Sequence, residues 1–213
     1  MKAPNGNPTN LNERQWLQVR TKAFKDWFGD WINNPANASK VVDENGEPLV
    51  VYHGSNAQFN TFITASYGEN EAFFSSDVEY AKQYGTNMYP VFLNIKNPDY
   101  YFDDNPEYQD EFGLGAPGIS HGTGNFALKK GHDGVIGHDI VLDDTFTMQY
   151  GGYFGPSENS IKPSKGIEYV VTNPNQIKSA TDNIGTFSRE DNNIYENRDK
   201  AISILSIINN VEK

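Results

Sequence analysis

The apolar positions that follow residue 12 recur every three or four residues, at Trp16, Val19, Ala23, Trp27 and Trp31. This spacing predicts an amphipathic helix near the start of the chain. Asn12 is a suitable N-cap, and Gln15, three residues later, completes a capping-box pattern. An aromatic stripe of this kind can serve as a partner or cofactor face. We favour the simpler interpretation, in which the helix packs on the core.

Shorter apolar runs later in the chain predict strands. They cover residues 49–51, 72–74, 91–95, 134–136 and 167–171. An Asn45-Gly46 pair between residues 41–42 and 49–51 is typical of a hairpin turn. Ser76 with Glu79 forms a capping-box pattern and predicts a short helix over residues 77–84, ended by Gly85.

The rest of the chain shows no internal repeat and no linker between domains. Residues 99–130 are acidic, then glycine-rich and without a regular period, which predicts a long insertion or lid. Residues 201–211 carry apolar side chains at helical spacing. We therefore expect a flexible lead-in at residues 1–10, one α+β domain at residues 11–190 and a C-terminal helix within residues 191–213.

Composition narrows the class of protein. The chain has 213 residues, 17 basic against 28 acidic side chains, a net charge of −11 and no cysteine. The absence of cysteine excludes disulfide scaffolds, thiolate zinc sites and cysteine nucleophiles. The acidity argues against a broad nucleic-acid footprint. No apolar run reaches the roughly 18 residues of a membrane span, and the N-terminus lacks a signal-peptide pattern, so we expect a cytoplasmic site of action.

Two chemical motifs are present but lack the context that their function needs, and a third is absent from the sequence. Gly113-x-Gly115-x-x-Gly118 matches the dinucleotide fingerprint as a string, but it lies in an acidic loop and opens no helix. His132-Asp133 and His138-Asp139 flank a short strand, and no matching metal ligands are evident elsewhere, so we expect no metal. A Gly-x-Ser-x-Gly nucleophile elbow does not occur in the sequence.

A more informative set consists of His53, Phe73, Tyr84 and Glu168. His53 ends a predicted strand, which can hold its ring rigidly at the edge of a cleft. Phe73 and Tyr84 are separated by a strand end and one short helix, so their rings can face each other across a slot. Glu168 opens the strand at residues 167–171, a rigid mount for a carboxylate.

In this order and context the four residues resemble the ADP-ribosyltransferases of the diphtheria-toxin and poly(ADP-ribose) polymerase class, known by a His-Tyr-Glu triad. Tyr52-His53-Gly54-Ser55 is similar to the first motif of that class. Two aromatic residues eleven apart, Phe73 and Tyr84, resemble the second motif. Glu168-Tyr169-Val170-Val171 resembles the third, in which the catalytic glutamate heads a strand.

The surrounding sequence narrows the resemblance to the ADP-ribosyltransferase domain of polyvalent proteins from phages and mobile elements. The strings that carry it are Trp27-Phe28-Gly29-Asp30-Trp31, Ser39-Lys40-Val41-Val42, Glu47-Pro48-Leu49-Val50, Asn173-Pro174-Asn175-Gln176 and Asp182-Asn183-Ile184-Gly185. The likeness covers roughly residues 20–190.

This resemblance implies a split antiparallel sheet with a central NAD cleft and flanking helices. It also implies NAD+ as co-substrate and no metal. Glu168 would stabilise the reacting ribose, and His53 would bind the adenosine side, with help from Ser55. The Gly54 backbone would pair with the carboxamide, and Phe73 and Tyr84 would stack on nicotinamide.

The chain departs from the better-known members at three positions. Phe73 replaces the triad tyrosine, and Ala81 stands where polymerase-type members often carry a serine. Gly166 lies two residues before Glu168, so the Glu-x-Glu pattern of arginine-modifying toxins is missing.

Three functions therefore compete at this stage. We favour a mono-ADP-ribosyltransferase acting on a macromolecular acceptor, a protein rather than a nucleic acid. The alternatives are an NAD+ glycohydrolase and a catalytically weakened NAD-binding module. The loop region at residues 99–130 is the expected place for acceptor recognition.

Overall fold

A computed structural model gives the fold of the chain. It describes residues 1–62, 65–66, 69–101, 106–107, 119, 121–138, 166–183 and 185–195. The Gly113 motif, Asp139 and the C-terminal helix expected at residues 201–211 lie outside the described residues.

Two helices precede the first strand, and two more lie between later strands of the described chain. The helices are α1 (Glu13–Gln18), α2 (Lys22–Phe28), α3 (Val78–Ala81) and α4 (Thr123–Lys129). Single 3-10 turns cover Pro35–Asn37, Lys82–Tyr84 and Pro174–Gln176. The strands are β1 (Val51–Ser55), β2 (Ala65–Ser66), β3 (Glu69–Asn70), β4 (Ala72–Ser75), β5 (Asn87–Leu93), β6 (Pro98–Tyr101), β7 (Gly134–His138), β8 (Ile167–Val171) and β9 (Ile177–Ser179).

Seven of these strands form one sheet in the order β6-β7-β8-β4-β1-β5-β9. All neighbours in it are antiparallel except β6 and β7. β2 and β3 form a separate two-stranded ladder. The predicted α+β class with flanking helices is confirmed, and the parallel β6–β7 pair makes the sheet mixed.

Register divides the sheet into two faces, because residues directly opposite each other on neighbouring strands point to the same side. Glu168 lies opposite Ser75, and Ser75 lies opposite Tyr52, so these three share one face with Gly54. We call this the helical face, since α3 packs on β1 there.

The other side, which we call the loop face, carries His53, Phe74, Tyr89 and Tyr169, by the same register rule. Phe74, Tyr89 and Tyr169 are buried in the main hydrophobic cluster. Loop residues cover this face, among them Phe62, which is buried in the same cluster.

The aromatic stripe near the N-terminus packs on the core, which is the interpretation that we favoured from the sequence. It forms two helices, α1 and α2, where the sequence predicted one. Thr21 caps α2 by accepting a hydrogen bond from the Phe24 N–H, and this cap ends the first helical run. Asn12 and Gln15 form the predicted capping box of α1. Phe24 lies edge-on to Phe92 of β5 with ring centroids 5.2 Å apart, so the helix layer is part of the core.

The short helix after β4 begins one residue later than predicted. Asp77 is its N-cap and accepts from the Glu79 and Tyr80 N–H groups. The Ser76 hydroxyl instead accepts from the Ile167 N–H at 2.8 Å, which ties β8 to the start of α3. α3 ends at Ala81, and a 3-10 turn continues it to Tyr84 before Gly85.

The region expected as an irregular insertion is regular at both ends. β6 occupies Pro98–Tyr101 and α4 occupies Thr123–Lys129. Glu71 holds α4 in place, because its carboxylate accepts from the Gly122 N–H at 2.7 Å and the Asn125 N–H at 2.9 Å. Sequence periodicity gave no sign of this long-range cap.

Residues 1–10, expected as a flexible lead-in, form a turn that resembles the predicted Asn-Gly turn. Lys2 bridges Pro8 as Val42 bridges Pro48. The Asn5 side chain donates to the Asn45 side chain at 2.9 Å, so the two turns lie side by side. Beyond the expected domain end at residue 190, Ile194 is buried in the main core. The division at residues 10 and 190 stays a prediction.

Among the described residues, no helix has the length and apolar character needed to cross a bilayer.

Candidate functional site

The sheet opens between its two central strands. β1 is joined to β5 along its whole length. On its other side β1 meets β4 at one register pair, Tyr52 opposite Ser75. No further pair joins β1 to β4, and we call the unpaired stretch beside His53, Gly54 and Ser55 the opening.

The backbone of Gly54 points into this opening. Pro90, opposite Tyr52, has no N–H, and its carbonyl oxygen accepts from the Ala180 N–H at 2.9 Å on the far side of β5. The backbone of Tyr52 therefore points away from β5, and Gly54, two residues on, points the same way. In a continued ladder Gly54 would pair with Phe73, but the β1–β4 register stops short of that position.

Glycine is required at position 54 by the helix above it. A Cβ atom on Gly54 would overlap the Ala81 carbonyl oxygen at the end of α3. Because this neighbour is backbone, it cannot rotate away as a side chain could. The close approach keeps the helix end directly over the open edge of β1.

His53 closes the opening from the loop face. Its Nδ1 lies 2.8 Å from the Phe73 carbonyl oxygen. A carbonyl can only accept, so Nδ1 carries the proton and Nε2 of the neutral ring is an acceptor. Burial lowers the pKa of His53, against the opposing effect of the Phe73 hydrogen bond, and so favours the neutral ring.

Aromatic rings surround the His53 imidazole. Phe62 lies edge-on at 5.0 Å and Phe74 is tilted at 5.6 Å, with Phe59 and Tyr89 slightly farther away. Phe59 and Tyr89 stack on each other at 4.3 Å. This cage fixes the ring and explains its desolvation. Phe59 and Phe62 come from a loop whose sequence gave no sign of a role at the site.

Glu168 lies near the start of β8, as the sequence predicted. The structure adds that it lies on the helical face. Its strand neighbours are Ser75 on β4 and Gly137 on β7. Glu168 and Tyr52 are two strand spacings apart, roughly 10 Å. Burial raises the pKa of Glu168, and a hydrogen bond from Tyr80 partly offsets this rise.

Tyr80 is a site residue that the sequence analysis missed. It is 9% exposed, and its hydroxyl interacts with the Glu168 carboxyl. Tyr84, which was predicted, donates its hydroxyl to the Tyr80 oxygen at 2.8 Å. Burial raises the pKa of both tyrosines, and the nearby Glu168 charge adds to the rise. The spacing of residues 80 and 84 along a helix was the available signal.

The two predicted stacking rings have different neighbours. Phe73 packs edge-on against His121 with ring centroids 5.2 Å apart, and Tyr84 packs edge-on against Tyr80 at 5.4 Å. Tyr84 is 49% exposed, so its ring is accessible to a ligand. The stacking of both rings on one ligand stays a prediction.

Ser55 and Gly166 each serve the local backbone. The Ser55 hydroxyl accepts from the Ala57 N–H at 3.1 Å and holds the turn after β1. A Cβ on Gly166 would lie 2.6 Å from the Ser76 hydroxyl oxygen. Packing against Ser76 therefore disfavours a larger residue at position 166, the position where arginine-modifying toxins carry their additional glutamate.

The first of the two histidine–aspartate pairs, His132-Asp133, has structural surroundings. The Asp133 carboxylate accepts from the Lys96 N–H at 2.8 Å and the Asn97 N–H at 2.9 Å, which holds the turn before β6. His132 Nε2 is 4.0 Å from the Asp99 carboxylate. In the described part of the chain no group of three or more histidine or acidic side chains could hold a metal ion. That the protein needs no metal stays a prediction.

Several surface concavities lie away from the opening. One of about 770 Å³ lies beside α1, and two of about 540 and 390 Å³ border Trp27 of α2. The predicted site residues line none of these three. The candidate site is therefore defined by the opening between β1 and β4 and by the side chains that surround this opening.

Comparison with known proteins identifies the family of the chain. A family described as "ADP-Ribosyltransferase in polyvalent proteins" matches residues 43–187. A comparison with curated proteins gave no match. The family match spans more than half of the 213 residues, and its residues include all of the predicted site. The chain belongs to the family of ADP-ribosyltransferases found in polyvalent proteins.

Proposed function

We propose that the protein transfers a single ADP-ribose unit from NAD+ to a macromolecular acceptor and releases nicotinamide. One observation carries this proposal. Gly54 and Glu168 lie on the same face of the sheet, the Gly54 N–H and C=O point towards β4 beyond the last β1–β4 pair, and α3 reaches both residues. A carboxamide donor–acceptor pair and a reacting ribose need this combination of groups.

The Gly54 edge suits a primary carboxamide. Its N–H and C=O point into the opening and form a donor and an acceptor of fixed direction. Nicotinamide carries one carbonyl and one NH₂ group, which can pair with both. Tyr84 offers an accessible ring beside this edge, and aromatic stacking contributes on the order of 1 kcal/mol.

His53 suits a ribose hydroxyl. Its Nδ1 proton is committed to the Phe73 carbonyl, so Nε2 accepts a hydrogen bond in the neutral ring. The lowered pKa keeps the ring neutral at physiological pH. His53 therefore binds and orients the donor and does not transfer a proton.

Glu168 supplies the charge that the reaction needs. When the bond from nicotinamide nitrogen to ribose breaks, nicotinamide leaves with the bonding electrons and positive charge develops on the sugar, as in glycoside cleavage. An ionised Glu168 stabilises that charge and can accept a hydrogen bond from a ribose hydroxyl. The acceptor then bonds to the sugar carbon and loses a proton. Removing a preorganised charged group of this kind typically costs about 100- to 1000-fold in rate.

The acceptor is more consistent with a protein than with a nucleic acid. The net charge of −11 does not favour a polyanionic partner. The segment just before α4 reaches the site, because His121 contacts the Phe73 ring. This segment is part of residues 99–130, where we expect acceptor recognition.

The test uses radiolabelled NAD+ and a cell lysate. We compare the unmodified protein with Glu168→Gln, and with Glu79→Gln as a matched control. Glu79 lies on α3 near the site, and its side chain is 74% exposed. We expect macromolecular label with the unmodified protein and the control, and a loss of about 100-fold or more with Glu168→Gln. Protease and nuclease digestion then identify the class of acceptor.

Other outcomes would overturn the proposal in distinct ways. Nicotinamide release without a labelled macromolecule would identify an NAD+ glycohydrolase. NAD+ binding without release would identify a binding module. Activity of Glu168→Gln within tenfold of the unmodified protein would remove Glu168 from its proposed role.

A further inference from the structure

Two tyrosine hydroxyls lie in series beside the Glu168 carboxyl. The Tyr84 hydroxyl is 2.8 Å from the Tyr80 hydroxyl. The bond from the Ile167 N–H to the Ser76 hydroxyl ties the start of β8 to the start of α3, so Tyr80 of α3 lies close enough to Glu168 for its hydroxyl to affect the carboxyl. The three residues belong to the 3-10 turn, to α3 and to β8, so only the fold brings them together. We infer that Tyr80 is a positioning residue for the Glu168 carboxylate and that Tyr84 fixes the direction of the Tyr80 hydroxyl.

The direction of each hydrogen bond follows from the charge at one end. An ionised carboxylate can only accept, so Tyr80 must donate its proton to Glu168. The Tyr80 oxygen is then available as an acceptor, and Tyr84 donates to it. Each hydroxyl therefore has one defined role. Charge at the end of such a series strengthens the hydrogen bonds within it.

Packing makes this arrangement rigid. Tyr80 is 9% exposed, and its backbone N–H donates to the Asp77 cap at 3.2 Å. Its ring meets the Tyr84 ring edge-on at 5.4 Å. The Tyr80 hydroxyl thus has little freedom to turn away from Glu168, which is the property a positioning group needs.

No cation replaces the tyrosines among the described groups that face Glu168. Its strand neighbours on β4 and β7 are Ser75 and Gly137, which carry no titrating group. In the described part of the chain, Tyr80 of α3 and Tyr84 of the 3-10 turn are titratable groups whose charge or hydrogen bond couples to Glu168.

The charged side chains on these two elements are engaged elsewhere. The Asp77 carboxylate accepts from N–H groups of α3. Lys82 pairs with Glu79 at 2.5 Å on the exposed side. Across the opening, the buried His53 ring is held neutral by its lowered pKa. Among the described residues, hydrogen bonding by Tyr80 is therefore the interaction that favours the charged form of Glu168.

The catalytic meaning of this inference rests on the proposed function. The test of the inference does not depend on that function, because it measures the titration of Glu168 directly. The protein is labelled with ¹³C at the glutamate side-chain carboxyl, and the Glu168 signal is assigned by its loss in Glu168→Gln. We follow its titration in the unmodified protein and in Tyr80→Phe, Tyr84→Phe and Tyr100→Phe. Tyr100 lies on β6 and is 44% exposed, so it is the matched control.

Loss of a donor to a carboxylate disfavours its charged form. We expect the pKa of Glu168 to rise in Tyr80→Phe, to rise less in Tyr84→Phe and to stay unchanged in Tyr100→Phe. The Tyr80→Phe variant keeps the buried ring, and an unchanged circular-dichroism spectrum establishes that it folds. An unmoved Glu168 titration in folded Tyr80→Phe would overturn the inference whatever the enzyme does.

Activity gives the second readout. If the protein transfers ADP-ribose, kcat at pH 7 falls about tenfold in Tyr80→Phe, as for the loss of one hydrogen bond to a charged group. The acidic limb of the pH profile also moves to higher pH, because the carboxylate must be ionised. A fall in kcat with an unmoved limb would mean that Tyr80 is only structural. A shifted NMR titration in a protein without transferase activity would keep the inference and reject the proposed function.

Discussion

Glu47 and Glu168 lie in two regions of the molecule that treat the charge of a glutamate in opposite ways. Glu47, in the turn before β1, is fully buried and lies 2.6 Å from the Arg20 guanidinium. It also accepts from the Thr9 hydroxyl. Glu168, at the opening in the sheet, interacts with the neutral hydroxyl of Tyr80, and burial raises its pKa.

The difference separates a structural carboxylate from a functional one. A charge that only stabilises the fold is best matched by a cation and hydrogen bonds, as at Glu47. A charge that must respond to a developing positive charge on a substrate cannot already be neutralised by a lysine or arginine. The charge of Glu168 is not matched by a cation among the described groups that face it, and this is a sign that the carboxylate has a function.

The first way to test this contrast is to remove the cation at the structural site. Arg20→Met keeps a long apolar side chain that can pack on Trp16, whose ring centroid lies 3.8 Å from the guanidinium carbon. Glu47 is then left buried without its cation. We expect a loss of about 3–5 kcal/mol in the free energy of unfolding, measured by urea denaturation.

The double variant Arg20→Met with Glu47→Gln is the control for this prediction. Removing both charges removes the unpaired one, so most of the lost stability should return. A loss below about 1 kcal/mol in Arg20→Met would contradict the structural role of the pair.

Local patterns in the sequence were sufficient for five of the seven strands of the main sheet and for part of the site. The motif at residues 52–55 and the strand opened by Glu168 combine β-forming residues with a polar group at a strand end, so both were predicted. β9 was not predicted, because it contains Lys178. That lysine is fully buried, and its ammonium donates to the Asp191 carbonyl at 2.5 Å, a partner that no local pattern reveals.

Tertiary contacts decide the features that the sequence analysis missed. Ser76 has the spacing of a helix cap, yet its hydroxyl binds the N–H of Ile167, 91 residues away. Tyr80 looks like an ordinary core aromatic, and its role depends on β8 lying beside α3. In both cases the polar atom is satisfied by a distant strand, which a single sequence without homologues does not show.

The second test of the contrast is the effect of Glu168→Gln on stability. Glu168 has a raised pKa in the folded state, so the unfolded chain ionises first as pH rises above about the ordinary value of 4.5. Ionisation of Glu168 therefore costs stability at neutral pH. We expect Glu168→Gln to raise Tm at pH 7 by about 2–4 °C, and this gain to vanish well below pH 4.5, where both states are protonated.

Exposed Glu79→Gln is the comparison for this measurement, and its Tm should change little. Calorimetry at several pH values separates the two variants. A Glu168→Gln protein that is less stable than the parent at pH 7 would show that the site compensates the charge of Glu168 as fully as Arg20 compensates Glu47.

The smallest effect concerns the accessible ring at the opening. Tyr84 is 49% exposed, whereas the Glu47 side chain of the Arg20–Glu47 pair is fully buried. Tyr84→Leu removes the ring, and Tyr84→Phe keeps it. If the ring stacks on nicotinamide, Tyr84→Leu weakens NAD+ binding about fivefold, the value of roughly 1 kcal/mol of aromatic contact, while Tyr84→Phe binds nearly as well as the parent. Titration calorimetry measures the affinity for NAD+, with Tyr100→Leu as the control of similar exposure.

Equal weakening of NAD+ binding in Tyr84→Leu and Tyr84→Phe would contradict this prediction. It would mean that the Tyr84 hydroxyl, through Tyr80 and Glu168, carries the whole effect and that the ring takes no part in binding.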